Sequence, residues 1–126
     1  PGPLTGTADP AMNRRPGLAT CLRAGLGLAF LLRTRSVLAL VGGAEPDPGE
    51  VIAGRVLGAR HLLDAGCLLA APDALGPVVR SVDAVHGASM LGLAAVSRSH
   101  RRVALASAVV AAVLAAPQPR ATRGTG

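Results

Sequence analysis

The stretch AEPDPGEVIAGRVLGARHLLDAG, residues 44–66, decides the fold. Asp47 suits an N-cap, Pro48 fits the first helical position and Glu50 falls at the third, so a capping box starts a helix at residue 48. The apolar pattern carries that helix to about Ala71, where APDALGP, with Pro72 and Pro77, turns the chain back. Working outward, the C-terminal side gives a helix over about 78–96. The basic link SRSHRR follows, and then a last helix over about 103–116 that PQP ends. On the N-terminal side a helix runs from about Pro16 to Leu32 and stops at RTR. A short piece, VLALV, follows with Ser36 as its cap and Gly42 and Gly43 as its stop. No segment alternates apolar and polar with a period of two, and the links are short. The prediction is an all-α fold, a small antiparallel helical bundle.

Composition narrows the setting of that bundle. Half of the 126 residues are apolar, but Phe30 is the one aromatic, so any core is built from Ala, Gly, Val and Leu. All thirteen basic residues are Arg, and the formal charge is +6. Arg14, Arg15, Arg33, Arg35, Arg98, Arg101, Arg102, Arg120 and Arg123 fall between or beyond the apolar blocks. Flanking Arg of this kind suits helices inserted in a bilayer. A basic helical module that binds nucleic acid is the competing reading of the same charge.

The last helix, VALASAVVAAVLAA, is apolar on every face except for Ser107, as a fully buried or membrane helix is. From residue 51 to 116 only nine positions are charged, well under the roughly one in four of a soluble domain. These observations predict a transmembrane bundle of three to four spans. In the three-span arrangement the first block lies along the interface, and the Arg98–Arg102 link is cytoplasmic. Two features pull the other way: the last block has 14 residues against the ~20 that a span needs, and an aromatic belt is missing.

Residues 1–15 read as a disordered extension, with Met12 as the natural start, 16–116 as one helical domain, and 117–126 as a disordered basic tail. LATC before Cys21 lacks the hydrophobic region of a lipoprotein signal, and AGLGLAFLL has no cleavage site after it. Cys21 and Cys67, 46 positions apart in apolar segments, read as small buried residues.

Two packing faces stand out. Gly54 and Gly58 are four apart, and Ala104, Ala108 and Ala112 form a stripe beside Ser107, Ala111 and Ala115; small residues at this spacing let backbones approach closely. Two polar stripes accompany them. Arg60, His61 and Asp64 share one face of their helix, and Asp83 and His86 share a face of the next, with Arg80 one turn away. With the hairpin turned about Pro72–Pro77, Asp64 lies eight residues before the turn and Asp83 six after it, which places them at one level within about 3 Å. The stripes then face each other as a buried polar clamp, with Arg60 bridging Asp64 and Asp83 and His86 bonding within the pair, because ionised groups in a bilayer need partners.

The same residues allow a proton or solute path, since Asp and His chains serve as relays in membrane bundles and imidazole titrates near neutral pH. His61, Asp64, Asp83 and His86 are suitable metal ligands by type, but the other helices supply no inward Glu or His, and no metal or other cofactor is expected. Nucleophilic catalysis has no elbow context and GLGLAF is not a dinucleotide fingerprint, so no enzymatic activity is expected. The expected partners are the lipid bilayer and, through the small-residue faces, a second copy or another membrane protein.

Read in order, RVLGARHLLDAG, SVDAVHGASMLGLAA and SHRRVALASA give the chain, over roughly residues 16–116, a form that resembles small uncharacterised multi-spanning helical membrane proteins of high-GC bacteria. The resemblance implies matching positions at Arg60 and His61, Asp83 and His86, and Ser89 and Met90. It implies a helical membrane fold and brings no activity with it.

Overall fold

Four α-helices account for the secondary structure of residues 17–117, the part of the chain that the computed structural model describes: α1 (Leu18–Gly42), α2 (Pro48–Ala70), α3 (Pro72–Val96) and α4 (Arg101–Ala115). No strand occurs among them. The readings made on residues 1–16 and 118–126 lie outside the described residues.

The start of α2 follows from local chemistry alone. Glu50 N–H donates to Asp47 Oδ1 at 2.9 Å, Asp47 N–H donates to Glu50 Oε2 at 3.0 Å, and Pro48 opens the helix. Both bonds satisfy backbone donors that a helix start leaves free.

Of two expected breaks, one is present and one is not. At RTR, Arg33 leaves helical geometry, with φ −134° and ψ 34°, so α1 is two helical pieces joined across a kink, the second of them through VLALV. Beside the kink the Thr34 hydroxyl donates to Phe30 O, a back-bond of the kind that bends helices. Gly43, at φ 75°, then ends α1 and donates its N–H to Ala39 O at 2.8 Å. APDALGP is not a turn, because α3 starts at Pro72 and holds Pro77 inside it. Proline's fixed φ is helical, so Pro77 removes one ladder donor near the helix start without redirecting the chain. The link between α2 and α3 is Ala71 alone.

α1 packs closely on α2, and α3 on α4, while contacts between the two pairs are sparser. α1 is thus a full member of the bundle. The α1–α2 seam depends on missing side chains. A Cβ on Gly58 would lie 2.9 Å from Gly27 O, and one on Gly27 would lie 2.8 Å from Gly58 O. Gly54 takes the Thr34 methyl in the same way, at 2.7 Å. Both glycines chosen from the sequence are therefore contact positions.

On α4 the buried row is Ala104, Ala108 and Ala111, and Ala112 is exposed, which corrects the expected stripe. At about 100° per residue, Ala112 drifts some 80° from Ala104 whereas Ala111 returns to within about 20° of it. Gly87 of α3 faces that row, where a Cβ would meet the Ala111 Cβ at 3.3 Å.

The interior is built mostly of Gly and Ala with Leu38, Val51, Val79 and Leu114, and it also holds Arg23, Thr34, His61 and Asp83. The outer wall carries Leu32, Leu40, Ile52, Val56, Leu63, Val85, Val96 and Val109. Cys21 is also exposed and Cys67 half-buried, both as free thiols, so the expectation of two buried cysteines fails.

Candidate functional site

Asp83 lies on the inner face of α3, 1 % exposed, where a lone carboxylate would be very costly. Two arginines neutralise it. Arg23 of α1, also 1 % exposed, donates Nη2–H to Asp83 Oδ2, and Arg60 of α2 donates Nη2–H to Oδ1 at 2.9 Å. Asp64, one turn beyond Arg60, completes the group: its Oδ2 lies 3.6 Å from Arg60 Nε and 3.7 Å from Arg23 Nη1. Two cations and two anions make the cluster formally neutral, the condition under which ionised side chains persist in an apolar interior.

Arg23 Nη2 also donates to Leu114 O at 3.2 Å, in the last turn of α4. All four helices therefore meet at this cluster, and it spans the looser interface between the two closely packed pairs.

Of the residues singled out in the sequence, Arg60, Asp64 and Asp83 come together as a clamp. Their register differs from the expected one. Because Ala71 alone links the helices, Arg60, eleven residues before it, stands level with Asp83, twelve after it, and Asp64 sits nearer the link. His86 does not bond within the α2–α3 pair; its Nε2 lies 3.0 Å from Ser107 Oγ of α4. His61 is buried beside the cluster, and its Nδ1 has no hydrogen-bond partner. Arg80 is exposed.

Arg23 was not anticipated. The signal was present: it is the one charged residue in PGLATCLRAGLGLAFLL, and Arg60 alone could not balance both Asp64 and Asp83. Ser107, the one polar residue in VALASAVVAAVLAA, was noticed, but not as the partner of His86.

The quartet His61, Asp64, Asp83 and His86 does not form a ligand set, since guanidinium groups hold both carboxylates. Among the described residues the acid and imidazole groups that converge are instead Asp47, Glu50 and His100 at the other end of the bundle. Asp47 and Glu50 are already joined there in the capping box, and His100 Nε2 lies 3.5 Å from Glu50 Oε1.

Between that end and the ionic cluster lies a cavity of about 390 Å³. All four helices contribute to it: Val37 and Val41 late in α1, Ala53 early in α2, Leu93 late in α3, Val103 early in α4. Its walls are almost wholly apolar, and His61, Asp83 and His86 line its inner end. One half of the bundle interior is thus tied by ion pairs and the other half is open.

No family model, curated protein or solved structure matches the chain.

Proposed function

We propose that the chain is a small integral membrane protein of structural or accessory type, held together by the Arg23–Asp83–Arg60–Asp64 clamp. One observation carries the reading: large apolar side chains crowd the outer wall, as with Leu63 and Val85 at 68 % exposure, while Arg23 and Asp83 lie inside at 1 %, although Arg33, Arg35, Arg55 and Arg80 also stand on the outer surface. In water this arrangement leaves a large apolar surface wet and still bears the cost of buried charge. In a bilayer lipid covers the wall, and turning the ion pair inward spares it the larger cost of facing hydrocarbon.

Among the described residues one helix, α1, is long and apolar enough to cross a membrane by composition. α2 and α3 fall short because, besides the inward residues of the clamp, they carry the exposed Arg55 and Arg80. At about 1.5 Å per residue, the 23 residues of α2 and the 25 of α3 exceed the ~30 Å of a hydrocarbon core. Fractionation of the expressed chain tests the reading. The protein is expected to pellet with membranes and to resist alkaline carbonate extraction; recovery in the carbonate supernatant, or in the soluble fraction with nucleic acid released by salt, overturns it.

A second reading, translocation of protons or a small solute through Asp83 and His86, draws on the cavity that ends at these residues. It predicts a pH-driven flux in vesicles that Asp83→Asn abolishes. Absence of any flux leaves the structural role.

A further inference from the structure

Where α3 passes to α4, Arg98, Arg101 and Arg102 stand close together in the chain, and all three are exposed. Among the described residues no carboxylate is left to pair with them. Glu45 pairs with Arg35, and Asp47 and Glu50 bond each other's backbone, with His100 against Glu50. Asp64 and Asp83 belong to the clamp, and Asp73 lies in the first turn of α3, at the Ala71 end.

The fold holds this charge in place. Arg101 Nε donates to Ala94 O, in the last turn of α3, at 3.0 Å. Arg102 lies over the end of α1, where a Cβ on Gly43 would be 3.2 Å from its Nη1. The ends of two helices thus seat two guanidinium groups and give neither of them a counter-charge.

The surface next to the link is apolar. Val96 ends α3 at 84 % exposure, Leu40 lies in the last turn of α1 at 86 %, and Leu105, early in α4, is also exposed. A basic rim therefore borders an apolar wall, the same order of charge and hydrocarbon that a phospholipid has. Nucleic acid would match the rim and leave the wall wet.

We infer that the α3–α4 link is a binding surface for anionic phospholipid, with the headgroup phosphate taken by Arg98, Arg101 and Arg102 and an acyl chain lying along the wall at Val96. Guanidinium groups suit phosphate oxygens because their planar donors match them in pairs. A zwitterionic lipid offers the same phosphate but brings its own cation, which the rim repels. The inference rests on the membrane reading and deepens it, from a wall that any lipid covers to one end that selects by headgroup charge.

The test uses the lack of Trp and Tyr in the chain, which makes a single introduced Trp the reporter of its own lipid neighbours. Val96→Trp reports beside the rim, and Leu69→Trp, exposed in the last turn of α2, reports the other end. The full chain is reconstituted in mixed phosphatidylcholine and phosphatidylglycerol bilayers in which one lipid or the other carries bromine on its acyl chains. Bromine quenches Trp on contact, so the two series give the relative occupancy of each lipid. At Val96→Trp phosphatidylglycerol should be favoured about fivefold at low salt, the scale of one guanidinium at a headgroup surface. The preference should shrink toward one in ~1 M salt, which screens charge beyond ~3 Å.

Arg98→Gln, Arg101→Gln and Arg102→Gln together should abolish the preference at Val96→Trp and leave the quenching of Leu69→Trp unchanged. Arg98→Lys, Arg101→Lys and Arg102→Lys should keep most of it. Helical content by circular dichroism certifies each variant as folded. Equal quenching by the two brominated lipids at Val96→Trp, or a preference that survives in the folded triple Gln variant, overturns the inference and leaves the membrane reading standing. No quenching by either lipid at either position overturns both, and salt-reversible binding of an oligonucleotide would then assign these arginines to nucleic acid.

Discussion

Asp83 and Asp64 are both carboxylates within one cluster, but they carry unequal loads. Each Asp83 oxygen accepts a hydrogen bond from a different arginine, whereas Asp64 is within ion-pair distance alone, at 3.6 and 3.7 Å, and is partly exposed. Asp83→Asn leaves the buried Arg23 with only the looser Asp64 carboxylate, 3.7 Å away, and breaking a buried pair typically costs about 3–5 kcal/mol. Asp64→Asn should cost about 1 kcal/mol or less, as a wetter and more loosely paired group does. Thermal unfolding in detergent is expected to show a clearly larger fall of the midpoint for Asp83→Asn; equal falls would mean that Asp64 shares the role. The sequence showed the acids and Arg60 because they sit on striped helices. It left Arg23 unassigned because a single Arg inside an apolar block shows that a partner is needed but not which one, until the fold carries it across to Asp83. The two histidines were legible as members of a cluster but not by partner, since His86 reaches Ser107 on a helix 21 positions further along the chain.

At the level of the helix, the α1–α2 seam rests on close backbone approach. Gly58→Ala would push a Cβ against Gly27 O at 2.9 Å and Phe30 Cβ at 2.8 Å. The expected loss is about 1–3 kcal/mol, because backbone cannot yield as a flexible side chain can. Gly66 lies on the same helix with open space around its position, and Gly66→Ala should gain about 0.5–1 kcal/mol from helix propensity. Opposite signs for the two variants in chemical or thermal unfolding check the seam, and a stabilised Gly58→Ala would refute it. Helix starts and small-residue seams were readable because they depend on neighbours within a few positions, as the Asp47–Glu50 box and the Gly54, Gly58 spacing show. One helix interruption was legible and one was misread for the converse reason. The RTR break is the kink at Arg33, but Pro77 stays within α3, because packing against a partner helix outweighs a weak local preference. That error moved the α2–α3 register by about a turn, and it paired Asp83 with the level of Asp64 when Arg60 stands opposite it.

Across the whole molecule, the antiparallel order places the α1–α2 and α3–α4 links at one end of the bundle and Ala71 at the other. Exposed Arg98, Arg101 and Arg102 mark the first end, toward which the cavity lies. If the bundle spans a membrane, the bias of Arg toward cytoplasmic loops turns that end inward. Single cysteines in a chain carrying Cys21→Ser and Cys67→Ala report the arrangement. In intact spheroplasts, an impermeant maleimide should label Ala71→Cys and should reach Ser99→Cys only after permeabilisation. Gly17→Cys separates the two span counts: with α1 crossing alongside α2, as its packing implies, Gly17 lies on the same side as Ala71 and labels from outside. With α1 along the interface, it is protected together with Ser99. External labelling of Ser99→Cys would reverse the orientation, and equal labelling of all three positions from outside would mean that no helix crosses and that the apolar wall meets something other than a bilayer.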